Sequence, residues 1–183
     1  MNLYVQLAKY NIIETQRLFL RPFSMDDLAD MYEYASKPEN LRFVFPAHLS
    51  REQTADAIAN NFMKAPLGKW AIEIKAEQKM LGTIDFTKIS EANVTAEIGY
   101  VLNQNYWGQG LMTEALKNLT DFSFREFGLK KLIILVDSEN IASQKVAQKV
   151  GYSHVKRFKG SNKYSRQLRE FERYELTKRE YLS

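Results

Sequence analysis

A chain of 183 residues is sized for one domain, and 45% apolar with 13% aromatic residues is enough to fill a sizeable core. The lack of cysteine excludes disulfides, zinc–thiolate centres and an acyl-cysteine intermediate, and the two histidines, His48 and His154, have no ligand-like spacing, so no metal is expected. No stretch nears the ~20 apolar residues that span a bilayer, and the polar start (Asn2, Gln6, Lys9) does not read as a signal peptide, so a cytoplasmic protein with no membrane partner and a net charge of +4 is expected.

Residues 12–21 carry β-branched and aromatic side chains up to Pro22 and predict a strand. Ser24 before Met25-Asp26-Asp27 is an N-cap with acids in the first turn, and Leu28, Met31, Tyr32 and Ala35 continue at helical spacing until Pro38. Ser50-Arg51-Glu52-Gln53 is a capping box that opens a second helix through Phe62. After a break at 66–68, residues 69–75, 80–89 and 94–102 predict a three-strand meander. A glycine turn and a long helix over about 111–127 follow. Residues 131–136, with Leu-Ile-Ile-Leu-Val unbroken, suit a strand buried on both faces. A helix over 141–150 ends at Gly151, and strands near 152–158 and 171–176 complete the chain. Strands cluster before the glycine turn and alternate with helices after it, which predicts a mixed α/β fold with one sheet flanked by helices across a single domain, 1–183.

The turn Trp107-Gly108-Gln109-Gly110 is the most informative segment. Glycine admits positive φ and leaves no Cβ in a ligand's way. Where such a turn opens straight into a helix, free N–H groups converge and the helix dipole adds partial positive charge, which suits a phosphate or pyrophosphate. The competing motifs do not fit. No Gly-x-x-x-x-Gly-Lys-Ser/Thr string exists, and Thr113 stands where a dinucleotide fingerprint has its third glycine.

These pieces together resemble the GNAT N-acetyltransferase superfamily, in its RimJ/RimL-type branch. Ile13-Glu14-Thr15-Gln16-Arg17-Leu18-Phe19-Leu20-Arg21-Pro22 resembles the first strand of that branch, and Ala96-Glu97-Ile98-Gly99-Tyr100 its fourth. Trp107-Gly108-Gln109-Gly110 with Thr113-Glu114-Ala115 resembles the acetyl-CoA loop and helix. Asn140, Ser143, Lys149, Gly151 and Tyr152 resemble the second cofactor motif, and Tyr174-Glu175-Leu176 with Glu180-Tyr181 the tail. The resemblance implies a mixed, mostly antiparallel sheet of about seven strands with about four helices, whose fourth and fifth strands splay apart. It implies acetyl-CoA as the acetyl donor, held by main-chain N–H groups across Trp107, Gly108, Gln109, Gly110, Leu111 and Met112. The pantetheine arm would lie between the splayed strands beside Ile98, Gly99 and Tyr100, with Asn140, Ser143 and Lys149 on the far side. Two positions depart from the pattern. Asn105 stands where the loop has Gln or Arg, and Ala147 stands where many members carry a tyrosine acid; the branch often uses a serine one turn earlier, here Ser143.

An amine attacks a thioester only when neutral. An α-amine with a pKa of about 8 needs less help than a lysine at about 10.4. Glu97, in an otherwise apolar run, is the expected base, against a purely structural carboxylate. The oxyanion is expected at an N–H near Ile98 or Gly99. Ser143 is expected to serve the departing thiolate, against a serine that merely satisfies the helix start. Glu114 is expected to pack or cap, and Tyr100, Tyr106 and Trp107 to line core or rim. The acceptor is a primary amine: a protein N-terminus, with a ribosomal protein as one candidate, or a small polyamine, amino acid or antibiotic. Arg42-Phe43-Val44-Phe45-Pro46, between the first helices, holds no acidic cluster and disfavours polycations. A non-catalytic acyl-CoA sensor is the rival reading. From Val155 onward nine basic residues oppose four acidic ones, an excess of five, yet no nucleic-acid partner is expected. Aromatic edges near Phe158 and Phe171 offer a homodimer contact.

Overall fold

The computed structural model describes residues 2–183. Its eight strands form a sheet in the order β1-β2-β3-β4-β5-β6-β8-β7. They are β1 (Ile13–Glu14), β2 (Leu18–Arg21), β3 (Lys69–Ile74), β4 (Lys79–Ser90), β5 (Thr95–Leu102), β6 (Lys131–Asp137), β7 (Ser153–Ser161) and β8 (Leu168–Thr177). The helices are α1 (Leu3–Lys9), α2 (Leu28–Ala35), α3 (Arg51–Ala57, running on into a π turn), α4 (Leu111–Arg125), α5 (Ile141–Val150) and α6 (Lys178–Leu182).

One more strand than expected appears because residues 12–21 fold on themselves. Thr15 N–H donates to the Leu18 carbonyl at 2.9 Å, Leu18 N–H donates to Thr15 Oγ1 at 3.0 Å, and Ile13 comes to face Leu20. Two short terminal helices were also not foreseen. Asn2 caps α1 by accepting from Tyr4 and Val5, and Thr177 with Glu180 forms a capping box for α6.

Side-chain alternation divides the core into two layers. On one face Trp70, Ile72, Ile84, Phe86, Ala96 and Ile98 pack beneath Leu111, Ala115, Leu116 and Leu119 of α4. On the other, Ala71, Met80 and Val101 pack against Phe23, Met31, Tyr34 and Ile58 from the α2–α3 side.

All strand pairs are antiparallel except β5 with β6. That parallel pair holds only at Thr95–Lys131, Ala96–Leu132 and Glu97–Ile133. Beyond it β5 pairs only with β4 and β6 only with β8, so the two strands diverge toward their C-terminal ends. The divergence matches the splay implied by the resemblance.

The β4–β5 side of this opening is held tightly. A Cβ on Gly82 would lie 2.1 Å from the Val101 carbonyl oxygen, so the two backbones approach as only glycine permits. We expect Gly82→Ala to cost at least about 2 kcal/mol, read as a lower urea midpoint, because the obstructing atom is main chain and cannot turn aside.

Candidate active site

The glycine turn has the geometry expected of an anion site. A 3₁₀ turn over Gln104–Tyr106 ends at Trp107, whose indole N–H donates to the Leu102 carbonyl at 2.8 Å. Gly108 and Gly110 both take left-handed φ, +75° and +74°, and Gly110 is the N-cap of α4 with no side chain capping the helix. Among the described residues the main-chain N–H groups from Gly108 to Thr113 donate to nothing; the first bond of the helix is Glu114 N–H to the Gly110 carbonyl at 3.0 Å. Free donors and a helix N-terminus therefore face the same volume.

Sequence reasoning missed what fixes this turn. Glu114 accepts from Thr15 Oγ1 and from the Arg17 backbone N–H, each at 2.7 Å, while its other oxygen takes Arg17 Nε at 2.7 Å. Arg17 also donates from Nη1 to the Gln109 carbonyl at 2.9 Å. The β1–β2 turn is thus tied to the first turn of α4 and to the turn before it. Burial works to raise the Glu114 pKa, but the bonds from Thr15 and Arg17 outweigh it and hold the group below the ordinary carboxylate value. The Thr-x-Arg spacing near Leu18 was the available signal, but nothing in one sequence pairs Arg17 with Glu114. Asn105, at the departing loop position, is turned away to Glu33 by Nδ2–Oε1 at 3.3 Å.

The open seam between β5 and β6 has the N-termini of α4 and α5 at its C-terminal end. Asn140 caps α5, accepting from Ser143 N–H at 3.2 Å, and its amide nitrogen makes no bond among the described residues. Ser143 Oγ donates to Tyr100 Oη at 3.0 Å, and Tyr100 donates to the Ser143 carbonyl at 3.1 Å. Burial pushes the Tyr100 phenol up to about 12, the bond from Ser143 working against that rise. Tyr100 is therefore a neutral donor bridging the seam. Lys149 stands apart. It is exposed in the last turn of α5, six residues and about 9 Å along the axis from Ser143, away from the helix N-termini. His48 and His154 are held by Thr54 and Glu172.

On the opposite face of the sheet lie Glu97, Gly99 and Val101 of β5 beside Thr83 and Asp85 of β4. Glu97 occupies the last β5–β6 pair and is partly buried; its side chain has no hydrogen-bond partner among the described residues. Asp85 faces Gly99 in register, and sequence reasoning passed over it. It too is without a partner, and burial pushes it up to about 6 against the pull of Lys69 and Lys163. Toward the β6 end of the seam, the 38–47 loop and the tip of the β7–β8 hairpin enclose a cleft of about 350 Å³. Phe43, Phe45, Tyr164, Arg42 and Arg169 line it, with Asp137. Asp137 and Glu139 are neutralised there by Arg169, and Glu139 also by Arg42 at 3.2 Å. Asn40 joins the 38–47 loop to the end of β5, donating to the Leu102 carbonyl at 3.0 Å and accepting from Gln104 N–H at 2.6 Å. Phe158 and Phe171 stack on one another, ring centres 5.7 Å apart, across β7 and β8.

The family model for the acetyltransferase (GNAT) domain matches residues 17–153, about three quarters of the chain. The chain belongs to the GNAT acetyltransferase family. It is an N-acetyltransferase, similar along 91% of its length and 96% of the other's to the uncharacterized N-acetyltransferase p20 of Bacillus licheniformis, at 28% identity. The ribosomal-protein-serine acetyltransferase of Escherichia coli (strain K12) is 32% identical over 56% of this chain and 58% of that one, in keeping with a RimJ/RimL-like branch. The crystal structure of a GNAT-family acetyltransferase from Bacillus anthracis superposes with a TM-score of 0.82 at 25% identity, covering 92% of this chain and 99% of that one. Among the described residues no helix is long and apolar enough to cross a membrane.

In this GNAT chain the Arg17–Glu114 tie should govern cofactor affinity. We expect Glu114→Gln to weaken coenzyme A binding about tenfold by calorimetry, with kcat at saturation little changed, since Glu114 is tied to Thr15 and Arg17 and faces no reacting atom. A carboxylate whose folded pKa is lowered stabilises the protein above its unfolded value, and that contribution is lost as pH falls through the lowered one. The wild-type loop should therefore loosen only at a pH below the ordinary carboxylate range, read as weakened coenzyme A binding there.

Proposed function

We propose that this enzyme transfers acetyl from acetyl-CoA directly to a primary amine, with a protein N-terminal α-amine as the preferred acceptor class, in the cytoplasm. The supporting observation is the run of unbonded N–H groups from Gly108 to Thr113, at the end of a seam that β5 and β6 leave open. The residues fit coenzyme A. Main-chain donors of Gly108, Gln109, Gly110, Leu111 and Met112 would hold the pyrophosphate, and the pantetheine amides would pair with the free edges of β5 and β6 past Ile98, Gly99 and Tyr100; Trp107, expected in this set, falls out of it because its N–H already donates to the Gln104 carbonyl at 3.2 Å. The amide nitrogen of Asn140 is free for the same arm. When bound, acetyl-CoA supplies the thioester that the amine attacks.

The chain's own groups would do the rest. An N–H near Ile98 or Gly99 would receive the developing oxyanion. Ser143, with Tyr100 behind it, would form a two-hydroxyl path for a proton to the departing sulfur, in the place left by the missing tyrosine at 147. A carboxylate on the Glu97–Gly99–Val101 face would take the proton of the amine. The acceptor body would sit in the cleft between the 38–47 loop and the hairpin tip. Asp137 and Glu139 are already paired there, so the cleft offers nothing to a polycation and favours a singly charged amine with an apolar or aromatic neighbour.

Calorimetry with coenzyme A and CoA release over a panel of α-amino peptides, polyamines and lysine-type amines test this reading. Peptides should lead, and a protein that ignores coenzyme A at millimolar excess would end it. Gly110→Ala, forced to hold a side chain at φ +74°, should raise the KM for acetyl-CoA about tenfold. Ser143→Ala should lower kcat about tenfold or more in single-turnover measurements while leaving coenzyme A affinity intact; an unchanged chemical step would remove the serine from the proton path.

A further inference from the structure

We propose that Asp85 is the carboxylate that receives the acceptor's ammonium group and takes its proton as the nitrogen attacks the thioester, an assignment that rests on the acetyltransferase reading above. The position carries the case. Asp85 lies on β4 directly opposite Gly99, and Gly99 lies two residues past the last β5–β6 pair, where the seam has already opened. Asp85 Oδ1 sits 3.9 Å from the point a Gly99 Cβ would occupy, so the carboxylate stands beside the glycine. The same missing Cβ makes room for the bulged residue Thr87, whose Cγ2 would otherwise be 2.7 Å away. The glycine thus lets Asp85 and Thr87 close up beside β5 at the point where the seam has opened.

Partnering also sets Asp85 apart. The nearby acids on the acceptor side are committed: Asp27 and Glu73 to Arg21, Glu33 to Lys79, and Asp137 to Arg169. Asp85 has no hydrogen bond or ion pair among the described residues, although it is only partly exposed. The charged groups around it are Lys69, its register partner on β3, Lys163 at the hairpin tip, and Glu97 farther along β5. Lys69 does not close on it, because its Nζ donates to the Asn61 carbonyl at 2.6 Å. A desolvated, unpaired carboxylate between strands is costly unless a cation arrives to pair with it. A primary ammonium is such a cation and carries the proton that must leave. Glu97 is less well placed. It belongs to the pair that still closes the seam, and its β4 neighbour is Lys88.

The chemistry balances. The ammonium gives one proton to Asp85, and the freed lone pair forms the C–N bond. The nitrogen sheds its second proton as the tetrahedral adduct collapses, the C–S bond breaks with its electrons on sulfur, one proton reaches the sulfur along the Ser143 side, and Asp85 returns its proton to solvent. Amide, thiol and one proton result.

Three variants decide it: Asp85→Asn, Asp85→Glu and Glu97→Gln, each assayed with an α-amino peptide from pH 5 to 9 beside coenzyme A calorimetry and thermal melting. Wild-type kcat/KM should fall as pH drops through about 6, where the base takes up its proton. Asp85→Asn should lose about 100-fold in kcat/KM and lose that acid limb, with coenzyme A affinity and melting preserved. Asp85→Glu, which keeps a carboxylate in a longer reach, should retain an acid limb at a reduced rate and covers the case in which the asparagine fails to fold. Glu97→Gln should keep the limb. An Asp85→Asn enzyme that turns over as the wild type does, or an acid limb lost only in Glu97→Gln, overturns the assignment while leaving the acetyltransferase reading in place. Wild-type protein that binds coenzyme A yet releases none with any amine overturns both.

Discussion

Past Glu97 and Ile133, β5 and β6 stop exchanging hydrogen bonds, and most of the site follows from that break. Two adjacent strands in the middle of a sheet ordinarily satisfy each other's main-chain groups. Here each strand keeps its other neighbour, β4 or β8, and leaves one edge free. A free strand edge inside a folded chain is stable only when something else pairs with it, and an extended amide-bearing arm does so as an added strand would. The parallel direction matters as well. It brings the C-terminal ends of both strands, and hence the N-termini of the two following helices, to the same end of the opening.

Each side of the opening is braced by contacts distant in sequence. Arg17 and Glu114 fasten the β1–β2 turn to the start of α4, so the glycine turn is held before any ligand arrives. Asn40 fastens the loop after α2 to the end of β5. Tyr100 reaches across to α5 and takes the Ser143 hydroxyl. Donors fixed in this way need little reorganisation when an anion or a developing negative charge appears among them. With Arg17 exposed and Glu114 partly buried, the value of the pair lies less in charge attraction than in the three converging bonds that set the loop's shape.

On the proposed reading the sheet also separates the two substrates. α4 and α5 lie on one face with the glycine turn, while the 38–47 loop, α2, α3 and the hairpin tip cover the other. The two faces meet where the seam between β5 and β6 is open. Charge is divided in the same way. Main-chain donors and a helix dipole dominate the cofactor side, while carboxylates and the arginines that neutralise most of them dominate the acceptor side.

The sequence by itself determined the order of the elements from β2 to β8, the left-handed turn and the cap of α5. These are local matters: glycine is required where φ is positive, Asn140 bonds three residues onward, and alternation marks the buried face. It also carried enough ordered motifs to mark the family. It did not reveal the fold-back at Thr15–Leu18, because alternation reads the same through a tight turn, nor α1, whose single buried residue, Leu7, leaves no periodic stripe. Only the tertiary structure decided that Glu114 holds Arg17 and that Asp85 on β4 comes to face Gly99 on β5. Those facts depend on strand register and on residues some fourteen to ninety-seven positions apart, and a single chain records neither until it is folded.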